Sequence, residues 1–249
     1  MEASKVIYTP IATTTRLDMD ETGSPVNQTM YRGIIGSLLY LTPNKPDIVF
    51  SVGLCARFQS NPKESHLKSA KRILRYLKGT HDLVLYYPSC DSFNLIGYAD
   101  ADYAGYLMDM KSTYGMAHFL GSCLISWDIR KQNSVALLTA EAEYVATASC
   151  CAQLLWIKRQ LEDFGVYTDC VPLLYDNTST LNMAKNPVQY KRIKHIDVRH
   201  HFLRDNVEKR LICMKLCSTE DQIASIFTKA LSREYFERNR LELGLIKPN

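Results

Sequence analysis

Three acidic residues have surroundings that could support chemistry. Asp100 closes an alternating stretch, Leu95 to Asp100, with the two-residue period of a β-strand. Asp176 follows a short apolar run, Val171 to Tyr175, that reads as a second strand. Glu143 sits on a helical stripe. Ala146, Cys150, Leu154, Ile157, Leu161 and Phe164 recur three or four residues apart, and extending that series backward lands on Glu143 rather than Glu141. A carboxylate at a sheet rim or on a core-facing stripe is costly unless something binds it, and a divalent cation is the usual occupant. Three acids at one sheet edge can hold two Mg²⁺ ions about 4 Å apart, one activating water and one stabilising the leaving oxygen. Phosphodiester hydrolysis gathers charge on phosphoryl oxygens and needs such an arrangement.

The elements that must position these acids follow from periodicity. Residues 1–27 read as an extended N-terminal segment. Residues 28–82 form a helical module. Tyr31, Ile34, Ile35, Leu38 and Leu41 make its first stripe, and Ile48, Val52, Cys55 and Phe58 its second. A third helix, about Ser65 to Lys78, turns Leu67, Ala70, Ile73, Leu74 and Leu77 inward and is closed by Gly79. Residues 83–231 read as an α/β domain. It comprises a strand at Leu83 to Tyr87, the Asp100 strand, and a hairpin of Thr113 to Leu120 and Leu124 to Trp127 across Gly121-Ser122. A long helix then runs from an N-cap at Thr139 to about Phe164, followed by the strand before Asp176. Helices at Ser179 to Ala184, Lys194 to Lys209 and Asp221 to Leu231 and a strand at Leu211 to Cys217 complete it. Residues 232–249 are a C-terminal amphipathic helix and tail.

A chain of 249 residues with 46% hydrophobic content can bury a sizeable core. The net charge of +4 is unevenly spread. Six Lys or Arg lie between Lys63 and Lys78 against one acid, Glu64, and seven lie between Lys191 and Arg210. Two basic stretches flanking an acidic site suggest a polyanion. The candidate backbone contacts are Lys68, Lys71, Arg72 and Arg75. Eight cysteines without Cys-x-x-Cys spacing, and no leader peptide, read as reduced thiols in an intracellular protein, cytoplasmic or nuclear. Cys213 and Cys217 with His200 and His201 fit no familiar zinc spacing. No apolar run reaches membrane-spanning length. Trp127 and Trp156 read as core residues.

Seven stretches carry a resemblance. They are YRGIIGSLLYL (31–41), NKPDIVFSVGLCARFQSNPKESHLKSAKRILRYLKGT (44–80), GYADADYAG (97–105), TAEAEYVATASCCAQLLW (139–156), YDNTSTLNMAKNP (175–187), KHIDVRHHFLRD (194–205) and EDQIASIFTKAL (220–231). Together they resemble the C-terminal part of a plant copia-type retrotransposon Pol polyprotein: the end of its reverse transcriptase, a thumb- or connection-like helical module, and its ribonuclease H domain. The resemblance implies a ribonuclease H-like five-stranded mixed sheet with helices. The implied activity is cleavage of the RNA strand of an RNA–DNA hybrid with two Mg²⁺ ions, for which Mn²⁺ can substitute. It implies Asp100, Glu143 and Asp176 as catalytic, metal-binding acids and links Lys194 to the nucleic-acid side. The order acid, Glu, acid also differs from integrases and transposases of the same general fold, which place Glu last. Where the family has a fourth acid this chain has Ser225, a neutral and weaker ligand. Asp221, four residues earlier, would lie on the same face of a helix. A weakened hydrolase is implied, with a catalytically inactive nucleic-acid-binding fragment as the alternative. The polymerase Tyr-x-Asp-Asp is absent from the sequence; the palm and fingers of such an enzyme would be an upstream partner.

Overall fold

Capping and apolar spacing set the first helices. The computed structural model describes residues 5–89, 92–106, 108–178 and 194–248, with the side chains of 194–200 outside that description. The chain divides into two units, one of residues up to Tyr86 joined by Lys229 onward, the other Tyr87–Thr228.

In the first unit the side chain of Asn27 accepts the Met30 N–H and starts α1, Gln28–Leu41, which buries Tyr31, Ile35 and Leu38. A short 3-10 turn, Pro46–Ile48, leads into α2, Val49–Ala56. The Tyr31 hydroxyl donates to the Cys55 carbonyl at 2.9 Å and ties the two helices. Helix α3, Glu64–Gly79, buries His66, Ala70, Ile73 and Tyr76. This face is rotated from the expected leucine stripe: Leu67, Leu74 and Leu77 are half-buried. The rotation has a polar cause. His66 Nδ1 accepts the Lys63 N–H at 3.0 Å, so Nε2 carries the proton and donates to the Asp18 carbonyl at 2.7 Å. The N-terminal segment, read as extended, is thereby fastened to α3, and it buries Ile11 and Leu17.

Strand β1, Val84–Leu85, was expected to open the α/β domain. It pairs instead with the chain's end, described below.

The second unit is built on β2, Leu95–Tyr106, β3, Lys111–Leu120, and β4, Cys123–Lys131, an antiparallel meander. Helix α4, Thr139–Asp163, leads to β5, Val171–Tyr175; α5, Lys194–Glu208, leads to β6, Ile212–Leu216. The strand order is β4-β3-β2-β5-β6, with β5 parallel to β2 and β6 parallel to β5. This five-stranded mixed sheet is the ribonuclease H-like α/β fold that the resemblance implied. The helix expected at Ser179 to Ala184 lies outside the described residues.

Strand β2 does not end at Asp100 but runs six residues further, pairing Asp102 with Thr113 before a bulge. Its Gly97 gives room to α4. A Cβ there would stand 2.6 Å from Leu154 Cδ1 and 3.0 Å from Cys150 Sγ. Leu95, Ala99 and Ala101 share a core with Ala146, Cys150, Leu154 and Ile157, as the stripe predicts. The stripe fails at its end: Phe164, just past α4, is 83% exposed, and Trp156, expected in the core, is 58% exposed. Leu161 in the last turn still packs against this unit's core, but Phe164 lies beyond the end of the helix and outside that cluster.

After β6 the expected helix from Asp221 is replaced by two 3-10 turns, Thr219–Asp221 and Ile223–Phe227. The Gln222 side chain breaks the helix by accepting the Ala224 N–H and donating to the Ala99 carbonyl at 2.9 Å. This strap lies on Gly115, the residue paired with Asp100. A Cβ at Gly115 would meet Phe227 Cβ at 2.5 Å and Thr228 Cγ2 at 3.1 Å.

Cys170 and Cys213 form a disulfide, correcting the reading of all cysteines as thiols. Their separation of 43 residues gives no sequence signal; the pairing of Val171 with Ile212 and Pro172 with Cys213 brings them together.

The chain returns to the first unit with α6, Arg233–Glu242, capped by Ser232, and β7, Leu245–Ile246, which pairs antiparallel with β1. Phe236 of α6 meets Tyr76 edge-on at 5.6 Å between ring centroids. Among the described residues no helix is long and apolar enough to cross a membrane.

Two stability predictions follow from this packing. Burial pushes the His118 imidazole down from 6.5 to about 4, opposed by a hydrogen bond with the Ser126 backbone. The unfolded chain therefore binds a proton that the folded chain refuses, and stability falls as pH drops from about 6.5 toward 4, by on the order of 3 kcal/mol. Urea unfolding at several pH values should show a shallower loss in His118→Gln than in the parent. Gly115→Ala should destabilise by about 1–3 kcal/mol through overpacking against Phe227; a denaturant melt unchanged from the parent would contradict the strap contact.

Candidate metal centre

The three sequence-predicted acids arrive from three elements. Asp100 is fully buried in β2, and its neighbour across the parallel ladder is β5, where Gly97 pairs with Leu173 and Tyr98 with Leu174. Continuing that ladder places the residue after β5, Asp176, beside Asp100. Glu143 is buried near the start of α4. One carboxylate oxygen from each of Asp100, Glu143 and Asp176 lies within 4.8 Å of the others.

Glu141 goes elsewhere. Its Oε2 accepts the Leu137 N–H at 2.6 Å, closing the loop into α4. No side chain caps α4 at Leu138, so Thr139 is not the N-cap its position suggested; it is the first helical residue. Gln132 Nε2 donates to the Ala142 carbonyl at 2.8 Å and holds the first turn beside β4. Glu143 is thus delivered by an anchored helix start.

Ser225 is buried inside the strap. Its carbonyl accepts the Thr228 N–H at 3.2 Å, and its own N–H donates to the Gln222 carbonyl at 3.2 Å. Because the strap is 3-10 rather than α-helical, Asp221 is not one α-turn from Ser225; its Oδ2 accepts from Ser218 Oγ at 2.8 Å. The strap also supplies a contact that sequence reasoning missed: the buried Thr228 hydroxyl donates to Asp100 Oδ2. The two residues are 128 apart, and no local pattern announces such a pair.

The site is strongly anionic. Burial first, and then the negative charges of Asp176, Asp221 and Asp100, push the Cys217 thiol up to about 11. Converging carboxylates in a desolvated pocket repel one another and must share a proton or hold a cation. An all-oxygen, anionic donor set suits a hard divalent ion, so the residues present fit a divalent metal.

The predicted cationic contacts lie on α3 of the first unit. Lys68 pairs with Glu64 at 3.5 Å on the surface, and Lys71 is exposed. Arg72 is half-buried and its Nη2 donates to Thr9 Oγ1 at 2.9 Å; burial lowers its pKa from the ordinary value. Arg75 is half-buried. The Lys194 side chain lies outside the described residues.

No protein-family profile matches the chain. It is 36% identical over 248 residues to the Retrovirus-related Pol polyprotein from transposon RE2 of Arabidopsis thaliana, covering 99% of this chain and 17% of that protein. It is 34% identical over 253 residues to the corresponding polyprotein from transposon TNT 1-94 of Nicotiana tabacum, covering 98% of this chain and 19% of that one. Among solved structures, the N-terminal RNase H domain of rv2228c from Mycobacterium tuberculosis is 9% identical with a TM-score of 0.41, over 60% of this chain and 98% of that domain. The chain spans less than a fifth of the length of these two curated relatives. Over nearly its whole length the chain is homologous to plant copia-type retrotransposon Pol polyproteins.

Proposed function

We propose that the chain is a ribonuclease H-type endonuclease that cuts the RNA strand of RNA–DNA hybrids in retrotransposon reverse transcription. The convergence of Asp100, Glu143 and Asp176 within 4.8 Å carries this reading. The ribonuclease H-like fold and the Pol homology support it. These three acids would hold the divalent metal, two Mg²⁺ ions or Mn²⁺ in their place. When bound, such ions lower the pKa of an attacking water and neutralise charge on phosphoryl oxygens.

The chain's own residues do the rest. Buried Asp100 and Glu143 come from a strand and an anchored helix, so their carboxylates keep their places without reorganisation as charge develops. Asp176 is only half-buried, so in this reading it is the acid of the three that a hybrid could reach. In this reading the first unit is the thumb- or connection-like module of a longer polyprotein, with the palm and fingers upstream. The surface lysines Lys68 and Lys71 of α3 supply phosphate contacts, with a smaller share from the half-buried Arg72 and Arg75. Ribonuclease discrimination rests on 2′-hydroxyl contacts across the wide minor groove of the hybrid.

Ser225 favours a second reading, a nucleic-acid-binding fragment without hydrolysis. A hydroxyl in place of a carboxylate leaves one metal position short of a negative charge. Cleavage of a labelled RNA–DNA hybrid with Mg²⁺ or Mn²⁺ separates the two. The parent should cut, Asp100→Asn should lose at least about a hundredfold in rate, and Ser225→Asp should cut faster than the parent. A silent parent rescued by Ser225→Asp would establish the binding reading. Silence of parent and Ser225→Asp alike would overturn the nuclease reading.

A further inference from the structure

The strap from Gln222 to Thr228 grips two consecutive residues of β2. Gln222 Nε2 donates to the Ala99 carbonyl at 2.9 Å, and the Thr228 hydroxyl donates to Asp100 Oδ2. Both strap residues are fully buried. The ends are tied together, since Ser225 N–H donates to Gln222 O and Thr228 N–H donates to Ser225 O. Gly115, opposite Asp100, leaves the space that lets Phe227 and Thr228 come this close. A plain surface turn would need none of these contacts.

We infer that Thr228 is a positioning residue of the acidic site, whose hydroxyl sets the orientation of the Asp100 carboxylate for metal binding. The inference rests on the metal-site reading above. Rotation of an aspartate carboxylate about its last bond is broad and two-fold, so packing alone fixes its plane poorly. A hydrogen bond on Oδ2 fixes that plane and still leaves lone pairs of the carboxylate for a cation. The donor is neutral. A lysine or arginine in its place would compete with the metal by charge, whereas a hydroxyl supports the ionised form without displacing it. Thr228 has one hydroxyl proton. It goes to the closer, charged acceptor, Asp100 Oδ2, in preference to the neutral Ser225 carbonyl 3.2 Å away, which is the competing acceptor. The strap thus serves the first acid through a donor, in the same turn where Ser225 withholds a fourth carboxylate.

The test is Mn²⁺ affinity, read by electron paramagnetic resonance of the free ion in titrations of the full chain, with thermal melts alongside. Thr228→Val, close in shape but without the hydroxyl, should raise the dissociation constant by roughly ten- to a hundredfold, the usual cost of removing a group that orients a metal ligand. Thr228→Ser keeps the hydroxyl and should stay within about threefold of the parent. Thr228→Ala replaces the valine variant if the latter does not fold. Equal affinity in parent and a folded Thr228→Val would overturn the proposal while leaving the metal site intact. So would a Thr228→Ser loss as large as that of Thr228→Val, since packing rather than the hydroxyl would then be responsible. A parent that binds no Mn²⁺ would overturn the metal-site reading and this one with it.

Discussion

Three carboxylates forced within 4.8 Å of one another, two of them buried, are the constraint on which the second unit turns. Like charges at such separations in a desolvated site oppose folding unless a proton or a cation relieves them. The surrounding framework holds that arrangement rather than dispersing it. The parallel β2–β5 ladder fixes Asp176 beside Asp100. Glu141 and Gln132 fix the first turn of α4 and hence Glu143, and the strap fixes Asp100 from across Gly115. Each support comes from a different stretch of chain, so the site is a product of the tertiary fold and not of any one motif.

The first unit solves a separate problem, a buried charge far from either chain end in sequence. Asp47, at the entrance to α2, is almost wholly buried, and desolvation raises its pKa against the pull of Tyr76, Lys45 and Arg240. The Tyr76 hydroxyl donates to Asp47 Oδ2, and Lys45 Nζ donates to the Thr80 carbonyl at 3.1 Å. Arg240 comes from α6, near the end of the chain. Together with Phe236 against Tyr76 and β7 on β1, it makes the last helix part of the helical core. The α/β unit is therefore inserted, in sequence, between two parts of one helical unit.

How much of this was legible in the sequence depended on whether the determining partner was local. The alternation of β2, the short apolar run of β5 and the stripe of α4 are properties of the chain itself, and from them came Asp100, Asp176 and the choice of Glu143 over Glu141 as candidates. Partners remote in sequence left no such mark. His66 rotated the buried face of α3 through hydrogen bonds to Lys63 and Asp18, Gln222 converted an expected helix into 3-10 turns by reaching Ala99, and Cys170 met Cys213 only through sheet register. Leu83 to Tyr87 alternates like a domain strand, yet its pairing partner is the tail. Thr228 stood in plain view within EDQIASIFTKAL, but its meaning lies in an aspartate 128 residues away.

The central claim is that Asp100, Glu143 and Asp176 form one divalent-cation site. Crystals of the protein soaked in Mn²⁺ and measured for anomalous scattering test it most directly. The account predicts an anomalous peak among the three carboxylates, lost in Asp100→Asn. Well-ordered carboxylates with no peak between them, at a Mn²⁺ concentration that saturates ordinary carboxylate sites, would contradict it.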